Sequence, residues 1–262
     1  MVKKNMPDGA RVIAIVSGKG GVGKTTTAAN LGVGLAWNYK EDVILIDANT
    51  TSSGLGLHLG KYWYEISLND VLNGKAHISQ AMYAHPSGAR LIPATTHLDN
   101  LDTDPKELKK VTKSLKPYVD YILLDCAPTL GDESTAGIDA ADEIILVTNN
   151  DWPSLLEAKR TLEYAKHHKK AILGVILNKS PPLNDAMREK LEATLGVPVL
   201  GTIKNDEKVT ESITRRVPVI HSFPYANAAS DYVTILETVT GEKFYGKTSF
   251  FGKLLSRVGL KE

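Results

Sequence analysis

Residues 12–26 read Val-Ile-Ala-Ile-Val-Ser-Gly-Lys-Gly-Gly-Val-Gly-Lys-Thr-Thr, and this junction decides the fold. The first six form a continuous run, which is how a strand buried on both faces of a parallel sheet reads. From Lys24 to Trp37 the apolar residues recur with helical periodicity. The glycine-rich stretch between is therefore a strand-to-helix turn. Gly18, Gly23, Lys24 and Thr25 fill every fixed position of the pattern GxxxxGK[ST] in the context that the pattern requires. Each part has its own physical task. Glycines let successive backbone N–H groups turn toward one anion without Cβ clashes. The helix N-terminus adds partial positive charge at the same point. Lys24 can reach the β- and γ-phosphates of a nucleotide, and the Thr25 hydroxyl can hold Mg²⁺. Gly18, Lys19, Gly20, Gly21, Val22, Gly23, Lys24, Thr25 and Thr26 are accordingly the candidate nucleotide-binding loop.

Outward from this loop, short apolar runs alternate with longer amphipathic ones. Strands are expected at Val12–Ser17, Val43–Asp47, Arg90–Pro93, Tyr121–Cys126, Glu143–Thr148, Ile172–Asn178 and Val199–Ile203. Helices are expected at Lys24–Trp37, Pro105–Leu115, Ser154–His168, Asp185–Leu195 and Ala226–Val239. Strand–helix alternation without a Pro/Gly-rich linker predicts one doubly wound α/β domain, a mostly parallel sheet flanked by helices, over residues 1–246. A separate C-terminal amphipathic helix is expected over residues 247–262.

Composition narrows the function classes. With 31 Lys plus Arg against 30 Asp plus Glu, the net charge of +1 argues against wholesale nucleic-acid binding. The single cysteine, Cys126, excludes an internal disulfide and a CxxC metal site within one chain, and its apolar neighbours predict a buried, inert thiol. Met6-Pro7-Asp8-Gly9 interrupts the N-terminus before any leader-like apolar region, and no run approaches the ~20 apolar residues needed to span a bilayer. A cytoplasmic protein is expected, with only peripheral membrane contact open to it.

Two predicted strands end in Asp, at Asp47 and Asp125. Carboxylates there face the crevice where open α/β sheets bind ligands, unless they merely cap the turn. The whole string Gly18–Thr26 resembles the deviant phosphate loop of the MinD/ParA family of ATPases, and the likeness extends over residues 11–240. The resemblance implies ATP and Mg²⁺ as ligands. It also implies that Lys19 reaches across an ATP-sandwiched homodimer to the partner's phosphates, a cation supplied in trans. Asp125, in Ile122-Leu123-Leu124-Asp125-Cys126-Ala127-Pro128, resembles the Walker B end that supports Mg²⁺, with Asp47 as its outer partner. Asn178, at another strand end, corresponds to the family's adenine contact, although a turn cap before Pro181-Pro182 is the alternative. Ile203-Lys204-Asn205-Asp206 loosely resembles the segment that closes over the base. The preference for ATP over GTP rests on the resemblance alone.

One position departs from the family. Relatives commonly carry Asp-x-Asp after the second strand, whereas this chain reads Asp47-Ala48-Asn49. An amide hydrogen-bonds water but cannot accept its proton. Lys19, Lys24 and Asn49 are thus the candidate catalytic residues, with hydrolysis expected to be slow. A naturally slow switch and a substitution that traps the ATP state both account for one amide in an otherwise matching motif, the second somewhat better.

The C-terminal stretch separates branches of the family. At about 100° per residue, Phe250, Phe251, Leu254, Leu255 and Val258 share one apolar face flanked by Lys253 and Arg257, which can snorkel toward anionic headgroups. From Lys247 onward the local charge is +3. This resembles the membrane-targeting helix that ends MinD proteins; docking on the protein body is the alternative. The expected function is an ATP-dependent dimeric switch that binds membranes and positions an unidentified regulatory or cargo protein. The family surface for dimerisation and regulators corresponds to residues 147–151 and the helix from Ser154, with Glu157 and Arg160 on it. A DNA-segregating ATPase of ParA type is the rival, drawing on Lys109, Lys110, Lys113, Lys116 and Arg215-Arg216. A flagellar-positioning relative of MinD stays open, whereas a metal-cluster carrier fails for want of thiolates.

Overall fold

The computed structural model describes residues 9–95 and 103–244. Its first half contains β1 (Arg11–Val16), α1 (Lys24–Asn38), β2 (Val43–Ala48), α2 (Leu55–His58), α3 (Leu68–Leu72), β3 (Tyr83–Ala84), β4 (Arg90–Ile92), α4 (Leu108–Leu115) and β5 (Tyr121–Cys126). There follow α5 (Asp132–Ala140), β6 (Glu143–Thr148), α6 (Trp152–His167), β7 (Ala171–Asn178), α7 (Asp185–Leu195), β8 (Val199–Ile203), α8 (Glu207–Arg215), α9 (Val219–Ser222) and α10 (Asn227–Thr240). All eight strands join one sheet in the order β3-β4-β2-β5-β1-β6-β7-β8. Every pairing is parallel except that of the two-residue β3 with β4.

The sheet carries a hydrophobic core on each face, which is why its strands read as continuous apolar runs. In β1, Val12, Ala14 and Val16 enter one core while Ile13 and Ile15 enter the other. Helix α1 packs with α9 and α10 over the second face; α5 and α6 cover the first. Two boundaries moved for capping reasons. Helix α6 starts at Trp152, two residues early, because the Asp151 side chain accepts from Ser154 N and Pro153 suits the first turn. The first turn of the helix expected from Pro105 is a 3₁₀ turn, Pro105–Glu107, before α4 proper.

Helix α5 (Asp-Glu-Ser-Thr-Ala-Gly-Ile-Asp-Ala) lacks an apolar stripe in sequence. It packs through close approach instead: a Cβ on Gly137 would lie 2.4 Å from Cys126 Sγ. Helix α8 buries only Ser212 fully and stands over the crevice at the carboxyl ends of β1, β2 and β7. Among the described residues no helix is long and apolar enough to cross a membrane. The expected membrane-binding residues Phe250, Phe251, Lys253, Leu254, Leu255, Arg257 and Val258 lie outside the described residues.

Candidate functional site

The loop from Ser17 to Gly23 turns the chain from β1 into α1. Gly23 is the N-cap of α1, with φ 92° and no capping side chain. That left-handed backbone favours glycine, and a Cβ there would lie 2.0 Å from Asn178 Nδ2. The two groups are crowded because Asn178 Nδ2 donates to the Val22 carbonyl at 2.7 Å, fastening the loop to the end of β7. Gly18 packs on the Glu157 backbone of α6. Lys19, Gly20 and Gly21 are exposed at the rim of a cavity of about 390 Å³, while Lys24 reaches its floor with 6% of its surface exposed. No side chain caps α1, so the orphan N–H groups of its first turn are available at the cavity.

Beneath the loop lie the two strand-end carboxylates. The β2–β5 register sets Asp47 opposite Asp125, and both are buried. Lys24 Nζ donates to Asp125 Oδ1 at 2.5 Å. Burial, and then the charge of Asp125, push the Asp47 carboxyl above the usual carboxylate range. Four donors oppose that rise. Asn49 N bonds Oδ1 at 3.2 Å, while Ser53 Oγ, Gly54 N and Leu55 N bond Oδ2 at 2.9, 3.0 and 3.0 Å. Asp47 is therefore the cap that orders the turn between β2 and α2. Asn49 lines the cavity and commits its Nδ2 to the Ser52 carbonyl at 2.6 Å. The following Thr50 and Thr51 hydroxyls both bond Glu133 of α5, which strengthens the same turn.

Thr25, Thr26, Asn178 and Asp206 complete the wall, with Lys179, Lys204 and the α8 side chains Val209, Thr210 and Ile213. Asp206 caps α8 through Lys208 N and also accepts from Ala228 N, so its carboxylate ties α8 to α10. Asn178 likewise commits one hydrogen of its amide nitrogen to the loop, which leaves its oxygen and one N–H for a base. His58, which no sequence motif singled out, also lines the cavity; its signal would have been its place four residues after Gly54, on a helix too short to show periodicity. Lys19, Lys24, Lys179 and Lys204 outnumber Asp206 along the wall, a balance suited to a polyphosphate.

The residues present fit a nucleotide with Mg²⁺. Ser17 Oγ is buried at the cavity without a hydrogen-bond partner. The oxygen donors, the Thr25 hydroxyl and the Asp125 carboxylate, are hard ligands too few to make a complete protein cage. Among the described residues no group of three His, Cys, Asp or Glu could hold a metal alone. Mg²⁺ is commonly held in this way, by one or two protein oxygens together with substrate phosphates.

Comparison with known proteins agrees with this construction. The AAA-domain family AAA_31 matches residues 10–178. An uncharacterized ATP-binding protein of Methanocaldococcus jannaschii is 33% identical over 94% of this chain and 96% of its own. The cell-division ATPase MinD of Pyrococcus furiosus superposes with a TM-score of 0.83 at 32% identity, over 88% of this chain and 99% of its own. The septum site-determining protein MinD of Pyrococcus horikoshii, solved with Mg-ADP, gives 0.82 at 33% identity, over 88% and 96%. With a family model over residues 10–178 and relatives at 32–33% identity across most of the chain, the chain belongs to the MinD/ParA family of P-loop ATPases.

Proposed function

We propose that the protein is a Mg²⁺-dependent ATPase of MinD type that dimerises around ATP, binds a membrane surface in that state, and there positions a regulatory or cargo protein. The observation that carries the reading is the convergence of Lys24, Thr25 and the uncapped start of α1 on one cavity, with Asp125 buried behind Lys24 and bonded to it. Lys24 and the α1 N–H groups hold the phosphates and stabilise the charge that develops on the transferred phosphoryl group. Thr25 and Asp125 hold Mg²⁺, which neutralises phosphate charge when bound. Asn49 commits one Nδ2 hydrogen to the Ser52 carbonyl, and the rest of its amide orients the attacking water by hydrogen bonding without taking its proton. Slow turnover follows.

Dimerisation draws support from the rim. Lys19 is exposed there, near enough to Asp151 for its charge to add to the Ser154 hydrogen bonds that hold that carboxyl low. Trp152 and Leu156, at the start of α6, are 75% and 55% exposed, apolar surface suited to burial by a second copy. The membrane part rests on the amphipathic pattern of residues 247–262. One short helix binds lipid weakly, and two held in one dimer bind far better through effective concentration. The DNA-binding alternative is weakened, because Lys110 pairs with Glu107, Lys116 with Asp142 and Arg215 with Glu211.

Sedimentation velocity in Mg·ATP and Mg·ADP, alongside phosphate release, tests the enzyme and dimer. The unsubstituted chain should dimerise with ATP alone, and Lys19→Ala should bind ATP yet lose both the dimer and turnover. A monomer in both nucleotides, without phosphate release, rejects the reading.

A further inference from the structure

His58 joins two parts of the site that are otherwise separate. Its Nε2 lies 3.2 Å from Thr26 Oγ1, in the first turn of α1, and its Nδ1 lies 3.0 Å from the Gly54 carbonyl, at the start of α2. A carbonyl can only accept, so Nδ1 carries a proton and donates to it. In the neutral ring Nε2 is then the acceptor, and the Thr26 hydroxyl donates to it. From Gly54 the bonds converge on one carboxylate. Gly54 N and Leu55 N donate to Asp47 Oδ2, and Asp47 Oδ1 receives the N–H of Asn49. The path from the phosphate loop therefore runs Thr26, His58, Gly54, Asp47 to the main chain of Asn49, whose side chain is the candidate water-orienting amide.

Two features make the path responsive. Thr26 has one hydroxyl proton and lines the cavity directly after the Mg²⁺-binding candidate Thr25. A phosphate oxygen is an acceptor, and it competes with His58 Nε2 for that proton. Helix α2 has only four residues, too few to hold itself by helical propensity, so outside bonds fix its position. Change at Thr26 is thus passed to a segment with little rigidity of its own.

We propose that His58 is a positioning residue that couples nucleotide occupancy at Thr26 to the order of residues 49–58. The proposal rests on the nucleotide reading of the cavity. It makes the imidazole a two-bond relay: both ring nitrogens are needed, and a side chain that keeps one bond does not transmit.

Hydrogen exchange of peptides spanning residues 49–58, on the full chain, reads the relay. Each protein is measured without nucleotide and saturated with Mg²⁺ and adenosine 5′-O-(3-thiotriphosphate), with occupancy established by calorimetry. The unsubstituted chain should change its exchange rate there several-fold on binding. His58→Leu should lose most of that change. His58→Asn places an amide where Nδ1 stands and His58→Gln places one where Nε2 stands; each should lose the response as well, and near-native circular dichroism of either keeps the comparison sound if the leucine variant misfolds. A response preserved in any of the three folded variants, or absent from a nucleotide-bound unsubstituted chain, overturns the relay. No binding heat in the unsubstituted chain overturns the nucleotide reading and the relay together.

Discussion

Replacing Gly23 by Ala should destabilise the protein through two separable costs. A left-handed backbone costs a residue with a Cβ about 1–2 kcal/mol, and Gly23 has φ 92°. The new Cβ would also stand 2.0 Å from Asn178 Nδ2. The amide must then leave the Val22 carbonyl, and a buried carbonyl without its partner costs about 1–3 kcal/mol more. Together the two give roughly 2–5 kcal/mol, or about 4–20 °C in melting temperature at 2–4 °C per kcal/mol for a chain of this size. Asn178→Ala alone should cost only the second part. In the Asn178→Ala background the clash is gone, and Gly23→Ala should cost only the backbone part, about 1–2 kcal/mol. Urea unfolding of the two single variants and the double variant, followed by circular dichroism, measures the coupling. Sub-additive costs, by about 1–3 kcal/mol, are expected. Additive costs would refute the contact between Asn178 and the loop as the cause.

Three further outcomes follow from particular contacts. Asn49→Asp should raise phosphate release: a positioned base contributes about 10²–10⁴ in rate, from which loss of the Asn49–Ser52 bond subtracts about tenfold, so at least a tenfold gain is expected and an unchanged rate counts against the assigned role. Burial pushes the Cys126 thiol up to about 12, so iodoacetamide at pH 8 should leave the folded chain unlabelled and modify it rapidly in urea; rapid native labelling would contradict the packing of α5. His85 is pushed down to about 4, by burial and then His221, and its Nδ1 accepts from Ser87 N. The unfolded chain therefore binds a proton that the folded one does not, so its contribution is complete above pH 6.5 and lost as pH falls toward 4. With partial exposure discounted this amounts to ~1–2 kcal/mol, and His85→Asn should flatten that slope in urea titrations.

What could be read before the structure was what burial writes into residue type. Strands covered on both faces are apolar through their middles, so Tyr121–Cys126 and Glu143–Thr148 were legible to the residue. The nucleotide loop was legible because its backbone and lysine chemistry leave few substitutes for Gly18, Gly23, Lys24 and Thr25. Helix α5 was not, since it packs through Gly137 against Cys126 and needs no stripe of large side chains. Asp47 showed its place at a strand end but not its partners, because three of its four donors are main-chain groups of residues 49, 54 and 55 that any sequence supplies. Asn178 was found for its position, and the structure adds that its nitrogen braces the loop. His58 depends on a turn whose geometry Asp47 creates, which no periodicity encodes.

Liposome co-sedimentation tests ATP-dependent membrane binding most directly. The full chain and a chain ending at Tyr245 would be mixed with anionic vesicles in Mg·ATP and in Mg·ADP. The full chain should pellet with vesicles in ATP and far less in ADP, and the shortened chain should stay in the supernatant in both. Equal binding of the two chains, or no binding of the full chain in ATP, would contradict it.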